Sequence, residues 1–130
     1  MSILIVDDVK PNVMVIERAL KLIGYQDVLK AYSAEEAFQL LGIGSGRTNS
    51  HTFELIFLDI LMPGLNGIEA CTYIREDERY RETPIFIVTA FNDSTNIQKA
   101  KAAGANDYLT KPINMVELKQ KVLNVFDSRQ

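Results

Sequence analysis

At 130 residues, 47% hydrophobic and 24% charged, with a net charge of −3, the chain has the balance of one globular domain with a single core, and disorder is excluded. It has no basic stripe interleaved with aromatics, so direct nucleic-acid binding is disfavoured. Cys71 stands alone, no apolar run is long enough to span a membrane, and Met1–Val6 is too short for a signal peptide; a cytoplasmic protein without membrane contact is expected.

Ile3 to Val6 is a compact apolar run that ends in Asp7 and Asp8, the pattern of a buried strand with two carboxylates at its tip. Pro11 and Asn12 open a helix whose buried face is Val13, Ile16, Leu20 and Ile23, and Gly24 closes it. A second strand is expected over Val28 to Tyr32. Ser33 followed by Glu36 is a capping-box signature, and the helix it starts should bury Ala37, Phe38, Leu40 and Leu41. From Gly42 to Thr52 the pattern fades into a long loop.

The central stretch is Glu54 to Gly67. Leu55 to Leu58 are wholly apolar, as in a strand covered on both faces, and Pro63 and Gly64 force the strand to stop near Asp59. Asn66 or Gly67 then begins a helix carrying Ile68, Cys71 and Ile74 inward, with Arg75 to Glu82 facing water. Pro84 precedes a strand from Ile85 to Val88 that ends at Thr89 and Ala90. A helix from Ser94 to Ala103 ends at Gly104, and Tyr108 and Leu109 form the last strand, ending in Thr110, Lys111 and Pro112. The final helix places Leu118, Val122, Val125 and Phe126 on one stripe. Five alternations of strand and helix predict an α/β fold, a doubly wound five-stranded parallel sheet with helices on both faces, as one domain over residues 1–130.

With strand order 2-1-3-4-5 the tips carrying Asp7, Asp8, Asp59, Thr89 and Lys111 meet at one crevice, where open α/β sheets bind ligands. Three carboxylates so close resist ionising together, and a hard divalent cation relieves the repulsion; few, all-oxygen ligands favour Mg²⁺. Asp59 is then the nucleophile toward phosphorus, Asp7 and Asp8 hold the metal, Lys111 offers a point charge, and Thr89 offers a hydroxyl donor.

These residues, with Met62-Pro63 and Gly67 after Asp59, Ala90 after Thr89, and the run Gly104-Ala105 to Tyr108 to Lys111-Pro112, make the whole chain resemble the receiver domain of a two-component response regulator, of chemotaxis-regulator type. The resemblance implies that Asp59 accepts a phosphoryl group from a phosphohistidine of a histidine kinase or histidine phosphotransfer protein. It implies that Asp8, Asp59 and the backbone carbonyl of Leu61 ligate Mg²⁺ directly, with Asp7 acting through a water. Thr89, with small Ala90 beside it, and the aromatic Tyr108 would form a switch that remodels the surface of the fourth helix, fifth strand and fifth helix for a downstream effector. The Lys111–Pro112 bond is expected to be cis, and Leu61 and Phe91 to shield the acyl phosphate from water.

Other readings carry less. His51 has no ligand set around it, Cys71 fits core packing, and the Gly42-Ile-Gly-Ser-Gly run follows a helix, the wrong context for a phosphate loop. A Mg²⁺-dependent phosphatase of the haloacid dehalogenase type would need an Asp-x-Asp motif on its first strand. A flavodoxin-like cofactor binder would need a hydroxyl- and glycine-rich loop there. A receiver-like interaction module that is never phosphorylated is the remaining alternative. Beyond its own phosphotransfer and slow dephosphorylation, no enzymatic activity is expected.

Overall fold

The computed structural model describes residues 2–44, 53–90 and 94–127. Five strands, β1 (Ser2–Val6), β2 (Val28–Ala31), β3 (Phe53–Asp59), β4 (Ile85–Thr89) and β5 (Asp107–Thr110), alternate with five helices. The helices are α1 (Lys10–Leu22), α2 (Ala34–Leu41), α3 (Gly67–Glu76), α4 (Ser94–Ala102) and α5 (Met115–Asp127). The sheet is parallel throughout, in the order β2-β1-β3-β4-β5. Fold class and strand order agree with the sequence reading.

The two faces follow from the alternation of side chains along a strand. Leu4, Val6, Ile56, Leu58, Ile85 and Ile87 point to the side covered by α2, α3 and α4. Ile3, Ile5, Leu55, Phe57, Phe86 and Val88 point to the side covered by α1 and α5. On that second side the rings of Phe57 and Phe86 meet edge to face, centroids 5.6 Å apart. With every residue of β1 and β4 buried, these strands read as unbroken apolar runs.

Three helix ends use one device. Gly24 and Gly104, and Gly42 as well, take positive φ and close the last turn. The next residue donates back across the turn: Tyr25 N to Leu20 O, Ile43 N to Phe38 O, Ala105 N to Ala100 O. Gly42 is therefore the cap of α2 and not the start of a loop; residues 45–52 of the expected Gly42–Thr52 loop, His51 included, lie outside the described residues.

Several expectations are corrected. Tyr32 is outside β2, because its N–H is taken by Glu36 Oε1 at 3.3 Å; the same carboxylate is thereby diverted from the Ser33 N–H that a full capping box would use. Phe38 and Leu40, Ile68, and Val125 and Phe126 are only half-buried, while small Ala34 and Ala70 are buried. The stretch from Arg75 to Glu82 does not simply face water. Tyr80, on a short 3-10 turn (Glu78–Tyr80), is buried, and its hydroxyl donates to Leu41 O at 2.5 Å. Arg75 is half-buried because its donors find backbone carbonyls in place of water.

Candidate functional site

Parallel pairing brings every strand's carboxyl end to one edge of the sheet. Val6 lies opposite Leu58 and Asp59 opposite Val88, so Asp7 and Asp59 extend adjacent strands at the point where the chain's winding reverses. The ladder continues one residue past the strands. Asp7 N donates to Ala31 O, Ile60 N to Val88 O and Lys111 N to Thr89 O at 2.8 Å, which fixes the backbone beneath each site residue.

After β3 the chain turns sharply into α3. Asn66 Oδ1 caps the Glu69 N–H at 2.9 Å while Glu69 Oε1 accepts from Asn66 N. Gly67 donates to Ile60 O at 3.0 Å and lies so close to the end of β3 that a Cβ there would sit 2.8 Å from the Asp59 carbonyl carbon and nearer still to its oxygen. Only glycine permits this approach. Met62 packs into the core, while Leu61 stands 67% exposed at the mouth.

Carboxylate oxygens of Asp7, Asp8 and Asp59 lie within 4.8 Å of one another. Asp7 and Asp59 are buried; Asp8 is on the solvent side. Lys111 places its Nζ 3.1 Å from Asp59 Oδ1 and 3.5 Å from Asp7 Oδ2. Asp7 Oδ1 accepts from Val9 N at 2.9 Å, whereas Asp7 Oδ2 is buried with no hydrogen-bond partner among the described residues. Burial, reinforced by the negative charge of Asp7 and opposed by Lys111, raises Asp59 from the usual 3.8 to about 6.

Three carboxylates against one ammonium, with a buried carboxylate oxygen left without a hydrogen bond, is a donor set that fits a hard divalent cation. Thr89 is buried at the tip of β4, and Ala90 follows it at the exposed rim. Tyr108 lies one strand further on, opposite Ile87, half-buried against the α2–α4 side of the core. The Lys111–Pro112 peptide is cis. Thus the fold gathers Asp7, Asp8, Asp59 and Lys111 into direct range, sets Thr89 beside them on the next strand, and leaves Tyr108 on the flank; Phe91 lies outside the described residues.

Sequence reasoning missed the surroundings of Tyr108. Lys121 donates to Asp107 Oδ1 at 3.1 Å and to the Tyr108 carbonyl, and its ammonium stands 4.6 Å from the Tyr108 ring, with Lys101 5.8 Å away. The one available signal was the helical spacing of Glu117 and Lys121, an i,i+4 pair whose partners across the strand were not foreseeable.

Residues 3–123 match the response regulator receiver domain family. The chain belongs to that family. Two-component signalling uses receiver domains as switches between histidine kinases and effectors, and they are not enzymes in the usual sense. The chain is 43% identical over 121 residues to the transcriptional regulatory protein YvrH of Bacillus subtilis, covering 93% of its own length and 47% of that relative. It is 33% identical to the chemotaxis protein CheY1 of Helicobacter pylori (strain ATCC 700392 / 26695), covering 94% of each chain. Among solved structures, a two-component response regulator from Clostridium difficile superposes with a TM-score of 0.84 at 31% identity, over 98% of this chain and 96% of that one. The chain thus spans about half of one relative and nearly all of another. No helix among the described residues is long and apolar enough to cross a membrane.

Proposed function

We infer that this receiver domain is a phosphorylation-activated switch whose phosphoacceptor is Asp59. The observation that carries the reading is a buried carboxylate at the end of the central strand, 3.1 Å from the Lys111 ammonium and within 4.8 Å of two further carboxylates. An Asp59 carboxylate oxygen attacks the phosphorus of a phosphohistidine; the new O–P bond forms as the N–P bond breaks, and the donor imidazole keeps the electron pair. Mg²⁺, held by Asp8, Asp59 and the Leu61 carbonyl, with Asp7 acting through water, would supply charge neutralisation to the transferring group. Lys111 offers a point charge to one phosphoryl oxygen, and the Thr89 hydroxyl donates to another.

The donor is a histidine kinase or a histidine phosphotransfer protein. A protein donor is supported by the outer surface of α1, which starts three residues after Asp7 and exposes Met14, Val15 and Leu22 along a groove that includes Pro11. Esterification of Asp59 draws Thr89 toward the phosphate. Tyr108, beside Ile87 on the next strand, then repacks, and the α4–β5–α5 surface presents itself to a downstream effector protein or domain. The chain works in the cytoplasm, with no direct contact to nucleic acid or membrane.

The test uses phosphoramidate, a small N–P donor, with Mg²⁺. The wild-type chain should gain the mass of one phosphoryl group and Asp59→Asn should gain none. Equal labelling of both would refute the assignment, and catalytic turnover of small phosphate esters would favour the phosphatase reading.

A further inference from the structure

Arg75, in the last turn of α3, presents five N–H groups, and all five are used. Nε and Nη2 donate to Gly104 O at 3.0 and 2.9 Å, Nη2 also to Asn106 Oδ1 at 2.8 Å, and Nη1 to Tyr80 O and Thr83 O, both at 2.6 Å. None of the four acceptors carries a formal charge, so the fork is an anchor for backbone and not an ion pair. Such charge-assisted bonds are shorter and roughly twice as strong as neutral ones. Gly104 makes room for it: its φ is +112°, and a Cβ there would fall 2.7 Å from Arg75 Cγ. Asn106 carries the anchor onward, since its Oδ1 also accepts from Ile85 N at 2.8 Å and its own N–H donates to Ile85 O. One side chain therefore ties the end of α3 to the turn after α4 and to the first residue of β4.

Burial along α4 is correspondingly uneven. Among the described residues Ala100 is its one buried position, next to the clamped turn, while Asn96 and Ile97 are half-buried and Ser94 and Thr95 are exposed. The N-terminal end of the helix lies four residues beyond Ala90, which follows Thr89 at the tip of β4.

We propose that Arg75 is a positioning residue, the fixed pivot about which α4 swings when the site at the strand tips is occupied. The swing rests on the phosphoacceptor reading above; the anchoring does not. A nine-residue helix is about 13 Å long at 1.5 Å per residue, so a rotation of about 10° about Gly104 moves Ser94 by roughly 2 Å while the far end stays in place. Lysine cannot replace the fork, because a single ammonium has neither its reach nor its planar set of donors.

The experiment is peptide-resolved hydrogen–deuterium exchange on the wild-type chain, Arg75→Lys and Arg75→Gln, each with and without Mg²⁺ and beryllofluoride as a phosphoryl mimic. Without beryllofluoride, exchange in residues 100–105 should rise at least tenfold in either folded variant, while β1 and β3 stay as in the wild type. On beryllofluoride addition to the wild type, residues 94–97 should change and residues 100–105 should keep their protection. A rise in residues 100–105 no larger than in β1 and β3 would make Arg75 a general stability residue and overturn the proposal. Loss of protection at 100–105 on activation of the wild type would overturn the pivot. A wild-type chain that ignores beryllofluoride altogether would count against the phosphoacceptor reading, and the variants without beryllofluoride would still decide whether the clamp exists.

Discussion

Replacing Asp59, the proposed phosphoacceptor, should make the protein more stable. In Asp59→Asn the amide oxygen can still accept from Lys111, but the buried charge beside Asp7 is gone. The carboxyl stands at about 6 in the folded state against an ordinary 3.8, and each tenfold in acid dissociation is worth ~1.36 kcal/mol. Ionising Asp59 in the fold therefore costs at most about 3 kcal/mol at neutral pH, and screening through the open side of the site at Asp8 reduces this to about 1–2 kcal/mol. The sign follows from where the proton sits. Below about pH 4 both folded and unfolded chains hold it, and the substitution is nearly neutral. Between about pH 4 and 6 the fold keeps a proton that the unfolded chain releases, so wild-type stability falls relative to Asp59→Asn as pH rises. Above pH 6 the gap is constant. Thermal melts of both proteins in EDTA from pH 4 to 8 should show this, with Asp59→Asn melting roughly 4–8 °C higher at pH 7.5. A variant less stable than the wild type at pH 7.5, or a gap that does not change between pH 4 and 6, would refute the reasoning.

Mg²⁺ should reverse the same penalty: metal at about a hundredfold over its dissociation constant stabilises by ~2.7 kcal/mol, and thermal melts should show most of that shift lost in Asp8→Asn. Gly67→Ala must push α3 away from the Asp59 carbonyl, costing about 1–3 kcal/mol in a urea melt and slowing labelling of Asp59 by phosphoramidate. Tyr80→Phe leaves the Leu41 carbonyl without its buried donor and should cost about 1–2 kcal/mol by the same assay, with the labelling rate unchanged. Replacing Phe91 with Glu should shorten the half-life of the phosphorylated protein, measured by loss of the added mass; an unchanged or longer half-life removes the shielding role.

The acidic cluster was legible because Asp7 and Asp59 each end an apolar run. A strand buried on both faces must be apolar, so an aspartate after Val6 or Leu58 marks a strand tip, and parallel pairing sends all tips to one edge. Gly67 was visible as part of a motif, but its physical reason, contact with the Asp59 carbonyl, needed the fold. Arg75 was misread for a related cause. Three of its four acceptors are main-chain carbonyls, of Tyr80, Thr83 and Gly104, and no residue type in the sequence announces a carbonyl that will be left for an arginine. Tyr32 shows the same limit at smaller scale: β propensity extended the strand to it, and one carboxylate from Glu36 ended the strand earlier.

The most direct measurement is peptide-resolved mass spectrometry after incubating the folded chain with acetyl phosphate and Mg²⁺. One phosphoryl group, located on Asp59 and lost when Mg²⁺ is withheld from the start, is the predicted result. A folded chain that gains no phosphoryl group, or gains it at another residue, would contradict the account.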